Sequence, residues 1–200
     1  MPRVVDHGQR RGEIAEALWR VAAAEGLEAV SLARVAQEAG VSKGRVQHYF
    51  TSRDELLFFA AQQLQLRIDD RIRAHLASAR PRTPLAEVRA LLVALLPLDD
   101  DARTDARVGS AFLIRALADQ EMRATYREGN RLIRQAVAER LAAARDDGEP
   151  ADLDAEREAT VLIALVGGLA EAVLLGDHDE GSAAAVLDHQ LARLRPPEDG

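Results

Sequence analysis

Between Gly40 and Arg53 the chain carries three cations, Lys43, Arg45 and Arg53, and no acid. Ser42, Gly44, Gln47, His48 and Tyr49 are interleaved with them. An arginine fork matches the acceptor pair on the edge of a guanine, a glutamine amide matches the edge of an adenine, and glycine lets a backbone approach closely. Such a patch on a chain of net charge −7 suits a small DNA-reading surface, because attraction to phosphate is short-ranged in salt. Residues 1–57 hold 8 basic and 8 acidic side chains, and residues 58–200 hold 18 and 25, so the excess acid lies away from the patch.

Catalytic chemistry finds little support. The histidines are His7, His48, His75, His178 and His189, and none forms a helical metal pair of the H-E-x-x-H kind. Asp177-His178-Asp179 reads as a solvated loop. There is no G-x-S-x-G, P-loop or G-x-G-x-x-G. The absence of cysteine excludes disulfides, thiol nucleophiles and cysteine-ligated zinc. No catalytic residue, metal or cofactor is expected, and the lack of cysteine fits a cytoplasmic protein. No secretory signal is read at the N-terminus. The run Ala159–Ala170 is uncharged for 12 residues, short of the roughly 20 that span a bilayer, so no membrane association is expected.

The elements that must position the patch are helices. Ala, with 38 copies, and Leu, with 27, dominate over 15 Val and 6 Ile, which favours helix over strand. A first helix is expected at about 9–25, with Ile14, Leu18 and Val21 on one face and Gly26 at its end. Ser31 caps a second, with Leu32, Val35, Ala36 and Ala39 inward, and Gly40 breaks it. Ser42 caps a third, Lys43 to Tyr49, whose Val46 and Phe50 face inward. Two short helices joined by a glycine turn make a helix-turn-helix. Ser52-x-x-Glu55 is a capping box that opens a long helix to about Ser78. Thr83-Pro84 opens the next, at 84–96. Further helices are expected at about 102–118, 121–145, 153–176 and 182–194. The fold class is therefore all-α, with about nine helices.

The stretch beginning at Ser31, SLARVAQEAGVSKGRVQHYFTSRDEL, resembles the DNA-binding region of the TetR family of bacterial transcriptional regulators. The match lies in the leading helix, the A-x-x-A-G-V-S turn, the aromatic pair Tyr49-Phe50 and the basic residue that opens the fourth helix. It covers about 50 residues; beyond them only length and helix count agree. The resemblance implies residues 1–52 as a helix-turn-helix domain, with the motif at about 31–50, and 53–200 as a helical effector-binding and dimerisation domain. It implies a ligand-responsive homodimeric repressor on double-stranded DNA with a palindromic operator. Lys43, Gly44, Arg45 and Gln47 are placed to enter a major groove. His48, Tyr49 and Arg53 are expected on phosphate, Arg53 as a clamp at a helix N-terminus, with Ser31 and Ser42 adding hydroxyl contacts and Arg10 and Arg11 forming an arm.

Farther along, Phe112 and Arg115 fall on one helix and Met122 and Tyr126 on the next, an aromatic and polar set suited to line a pocket for a small-molecule effector. Ile163, Gly167, Ala170 and Leu174 on one helix, with Leu187, Leu191 and Leu194 on the last, are expected to pack across a two-fold axis. Two other functions compete: a helical protein-interaction module, and an all-helical enzyme.

Overall fold

The computed structural model describes residues 7–146 and 154–194. It contains nine α-helices and no strand among those residues: α1 His7–Glu25, α2 Leu32–Glu38, α3 Lys43–Tyr49, α4 Arg53–Ala79, α5 Pro84–Val93, α6 Asp100–Ala118, α7 Gln120–Asp146, α8 Ala155–Leu175 and α9 Glu180–Ala192. A single 3-10 turn, Leu27–Ala29, lies between α1 and α2. Of the loop expected at 146–150, Asp146 ends α7 and residues 147–150 fall outside the described residues, as does the start of the helix expected at 153.

Helix starts are set by capping side chains. Ser31 accepts from the Arg34 N–H, Ser42 from that of Arg45, Thr83 from that of Ala86 and Asp154 from that of Arg157. The break at Asp119 is real: its carboxylate accepts the Met122 N–H at 3.0 Å and opens α7. Two of the ends that differ from expectation have clear local reasons. Helix α5 stops at Val93 because Leu95 and Leu96 turn tightly onto Leu92 and Val93 ahead of Pro97. Helix α9 starts earlier because Asp179 caps it through the Ser182 N–H at 2.7 Å.

The chain divides into two compact units, Met1–Arg67 with Thr104–Arg127, and Ile68–Arg103 with Glu128–Gly200. In the first, α1 packs on α2 and α2 on α3. Ile14, Leu18, Val21, Val35, Ala36, Val46 and Phe50 are all buried, as their spacing predicts. Removing that much apolar surface from water supplies about 1.5–3 kcal/mol for each large side chain. In the second unit α5, α8 and α9 pack together around Leu85, Val88, Leu92, Leu141, Leu162, Val166, Leu187 and Leu191.

This packing corrects part of the expected dimer seam. Leu187, Leu191 and Leu194 belong to the chain's own core, each less than a tenth exposed. Their three-and-four spacing marks an inward stripe, so they are not available to a second chain. Helix α8 differs. It buries Ala159, Leu162, Val166, Leu169 and Val173, while Gly167 is exposed and Ile163, Ala170 and Leu174 are half-covered. Its outer face also shows Val161 and Leu175. With mean hydropathy 1.9 and 28% of its most apolar window buried, α8 is long and apolar enough by length and composition to cross a membrane. The uncharged run alone understated this, because an apolar window can tolerate Glu158 and Glu171.

Candidate nucleic-acid interface

The turn between α2 and α3 is built on one glycine. Gly40 sits at φ 66, in the left-handed region where a side chain is strained. Its N–H reaches the Gln37 carbonyl and the Val41 N–H reaches that of Ala36, at 3.2 and 3.0 Å. These two bonds end α2 in a Schellman turn and aim the chain at Ser42. Helix α3 is then only seven residues long. Ser42 holds its start, and the Phe50 N–H bonded to the Val46 carbonyl holds its end.

Val46 and Phe50 are fully buried, so the rest of α3 points outward. Ser42, Lys43, Gly44, Arg45, Gln47 and His48 are exposed, and Tyr49 is half-buried, its ring edge-on to His48 at 5.1 Å. Ser31 is exposed at the start of α2. The end of α3 is clamped from α1: the Arg11 guanidinium lies 4.7 Å from the Phe50 ring centre and 4.6 Å from that of Phe59, and 3.6 Å from Glu55. Arg11 is therefore part of the fold rather than of an arm. Arg10, also within α1, is ion-paired to Glu13.

Arg53 departs most from expectation. Its Nε donates to the Val30 carbonyl and its Nη2 to that of Leu27, both at 2.7 Å. The side chain is turned back onto the connection between α1 and α2, tying the start of α4 to it, and not out as a phosphate clamp. Carbonyls closing a 3-10 turn point their negative ends toward α4, and an arginine fork satisfies two of them. Glu55 completes this corner by accepting from the Thr51 N–H and hydroxyl at 2.8 Å, which holds its carboxyl below the usual range.

The ion pairs sort the cations. Among the described residues up to Arg67 there are eight Lys and Arg. Arg10, Arg11, Arg20, Arg34, Arg53 and Arg67 each have a carboxylate within 4 Å, on Glu13, Glu55, Glu38, Glu25, Glu28 and Glu16 respectively. Lys43 and Arg45 have none. The two unpaired cations are thus on the exposed face of α3. The sequence could not show this, because the neutralising Glu25 and Glu38 lie on other turns.

Of the expected pocket set, Arg115 and Met122 line one cleft, and Phe112 and Tyr126 do not line it. Phe112 and Met122 are buried at 1% and 4% exposure, and Tyr126 is half-covered. An open cleft of about 290 Å³ is lined by Arg115 and Met122, with Asp54, Glu55, Phe58, Asp119 and Glu121, but not by Phe112 or Tyr126. Arg115 spans it, 2.9 Å from Asp54 and 3.3 Å from Asp119. Phe112 is core because it falls on the inward stripe of α6 with Val108 and Ala116.

A capped helix of seven residues, fixed from below and presenting unpaired cations, an amide and a glycine, is the reading head of a helix-turn-helix DNA-binding protein. Comparison with known proteins agrees. The model of bacterial regulatory proteins of the tetR family matches residues 14–59, and that of the BetI-type transcriptional repressor C-terminal region matches residues 84–196. The HTH-type transcriptional regulator PksA of Bacillus subtilis is 34% identical over 172 residues, 85% of this chain and 81% of that one. BetI of Rhizobium meliloti is 32% identical over 204 residues, 100% of this chain and 97% of its own. A solved transcriptional regulator from Rhodococcus sp. Rha1 is 33% identical, with TM-score 0.79 over 92% of this chain and 95% of its own. A Saccharomonospora viridis regulator solved with choline shares the fold at TM-score 0.81 and 24% identity, over 93% and 95% of the two chains. The chain belongs to the tetR family of bacterial transcriptional regulators. It is a DNA-binding regulator, not an enzyme.

Proposed function

We propose that the protein is a ligand-responsive homodimeric repressor, cytoplasmic, whose two α3 helices read the half-sites of a palindromic operator. The observation that carries the reading head is the placement of the two unpaired cations, Lys43 and Arg45, beside Gly44 and Gln47 on the open face of α3. Arg45 and Gln47 face base edges; Lys43, His48 and Tyr49, with the Ser31 and Ser42 hydroxyls, face phosphates. Functionally the division is 1–52 for DNA and 53–200 for effector and dimer.

The dimer rests on α8. A helix whose outer face carries Val161, Gly167 and Leu175 leaves apolar area uncovered in one protomer, and a second copy is the occupant whose symmetry makes the same stripe cover itself. Gly167 meets nothing within 4 Å of an added Cβ, so Gly167→Leu fits the protomer and obstructs a close helix crossing. The effector acts through α4, which runs unbroken for 27 residues from Arg53, about 40 Å. A coupling of about 1–3 kcal/mol between ligand and DNA states would change operator affinity about 5–150-fold. The cleft at Arg115 and Met122 is the place to look for it.

The test is selection of duplexes from a randomised pool, followed by sedimentation. The expected result is a two-fold symmetric consensus, its half-sites about 34–36 Å apart or a multiple, bound by a dimer. Gly167→Leu should give folded monomers that bind it weakly. An asymmetric consensus bound by a monomer would overturn the homodimeric arrangement, and an unchanged dimer in that variant would overturn the seam at Gly167 on α8.

A further inference from the structure

Arg67 on α4 lies at the meeting of three helices. Its Nε donates to the Asp105 carboxylate on α6 and its Nη1 to that of Glu16 on α1, both at 2.9 Å. Its guanidinium also lies 5.0 Å from the ring centre of Trp19 on α1. Asp105, 3% exposed, is the one buried charged side chain among the described residues. A carboxylate so placed is costly unless paired, so Asp105 fixes where Arg67 stands. Trp19 is also 3% exposed, and its indole N–H is buried without a hydrogen-bond partner. What holds that ring is packing and the cation above it.

We propose that Arg67 is a positioning residue for DNA binding, joining α1 to α6 through Glu16 and Trp19 on one side and Asp105 on the other. Helix α1 packs on α2, and α2 on α3, so the pose of α1 is passed directly to the reading head. A displacement of α6 is then felt at α3 through α1 as well as through the start of α4. Arg67 touches no DNA in this scheme. It reduces the freedom the reading head loses on binding, and freedom already removed is not charged against affinity.

The test uses the full-length protein and the duplex the wild type selects from a randomised pool. Failure of that selection would overturn the operator reading, not this one. Asp105→Asn and Glu16→Gln cut the two arms of the link. Each should lower affinity for the selected duplex about 3- to 30-fold. The double variant should be no weaker than the weaker single, because both cut one link. The salt dependence should stay as in the wild type, since no phosphate contact is lost. Trp19, the sole tryptophan, should report both changes by its emission. Glu16 is about half exposed, so Glu16→Gln keeps the question open to test if Asp105→Asn does not fold. Folded Glu16→Gln that binds within twofold of the wild type would overturn the proposal. So would additive losses in the double variant, or a reduced salt dependence, which would mean that a phosphate contact had been lost rather than the reading head loosened.

Discussion

Arg53→Ala separates two roles for the same guanidinium. In the structure it makes two hydrogen bonds of 2.7 Å to the carbonyls of Val30 and Leu27, and stands 3.9 Å from the fully exposed Glu28. Bonds to a charged donor contribute about 1.5–3 kcal/mol each. The side chain is 30% exposed, so water reaches the orphaned carbonyls and the loss falls at the low end, about 2–3 kcal/mol in all. The pair with Glu28 adds nothing measurable at such exposure. For a chain of this size that is roughly 4–12 °C in melting temperature. Arg53→Lys, with a single point of donation, should recover about half. The assay is urea unfolding followed by helical signal, with DNA binding measured over a salt series on the folded variants. The salt slope should stay at the wild-type value. An Arg53→Ala protein as stable as the wild type, with a slope reduced by about 1, would refute this reasoning and put the side chain on a phosphate.

Four more outcomes follow from the same geometry. Arg45→Ala should cost about 1–3 kcal/mol at one base pair and narrow the ratio of specific to scrambled binding, whereas Lys43→Ala should weaken all duplexes and lower the salt slope by about 1. Leu191→Glu puts an unpaired charge into the protomer core, a loss of about 3–5 kcal/mol, and should appear as unfolding by circular dichroism rather than as a folded monomer. Arg80, at φ 44 just past the end of α4, is strained by about 1–2 kcal/mol; Arg80→Gly relieves this against about 0.4–1 kcal/mol of added chain entropy, so the urea midpoint should rise. Asp119 is held below its usual pKa first by the Met122 N–H and then by Arg115, and Asp179 first by the Ser182 N–H. Depressed carboxyls stabilise above their ordinary pKa of 3.8, and that stability is lost as pH falls through the lowered values. Urea midpoints should thus hold from about pH 7 to 5 and fall below about pH 4, less steeply in Asp119→Asn, which keeps the cap.

What could be read from residue order was local. Ser31, Ser42 and Thr83 cap the helices they precede because a short hydroxyl three residues before an N–H has few other places to go. Val46 and Phe50 face inward because they are one helical turn apart and apolar. What could not be read was which partner a long or symmetric feature would choose. Arg53 reaches solvent and carbonyl alike, and only the fold brings Leu27 and Val30 within range. The stripe Leu187, Leu191, Leu194 announces an apolar face, but the same spacing serves a core and a seam between chains. Phe112 and Arg115 share a helix, yet three residues of offset put one in the core and the other on a cleft. The unpaired state of Lys43 and Arg45 depends on acids placed by tertiary packing.

The division of labour within α3 bears on how such a regulator changes over time. Its fold depends on Val46, Phe50, the Ser42 cap and the glycine turn before it, while positions 43, 44, 45, 47 and 48 stand clear of the core. Exchanges at those five positions meet little structural resistance, since surface substitutions away from such anchors usually stay within about 0.5 kcal/mol. The DNA sequence preferred can therefore drift, or be rewritten by design, on an unaltered scaffold. The address the protein reads and the stability that lets it read are inherited separately.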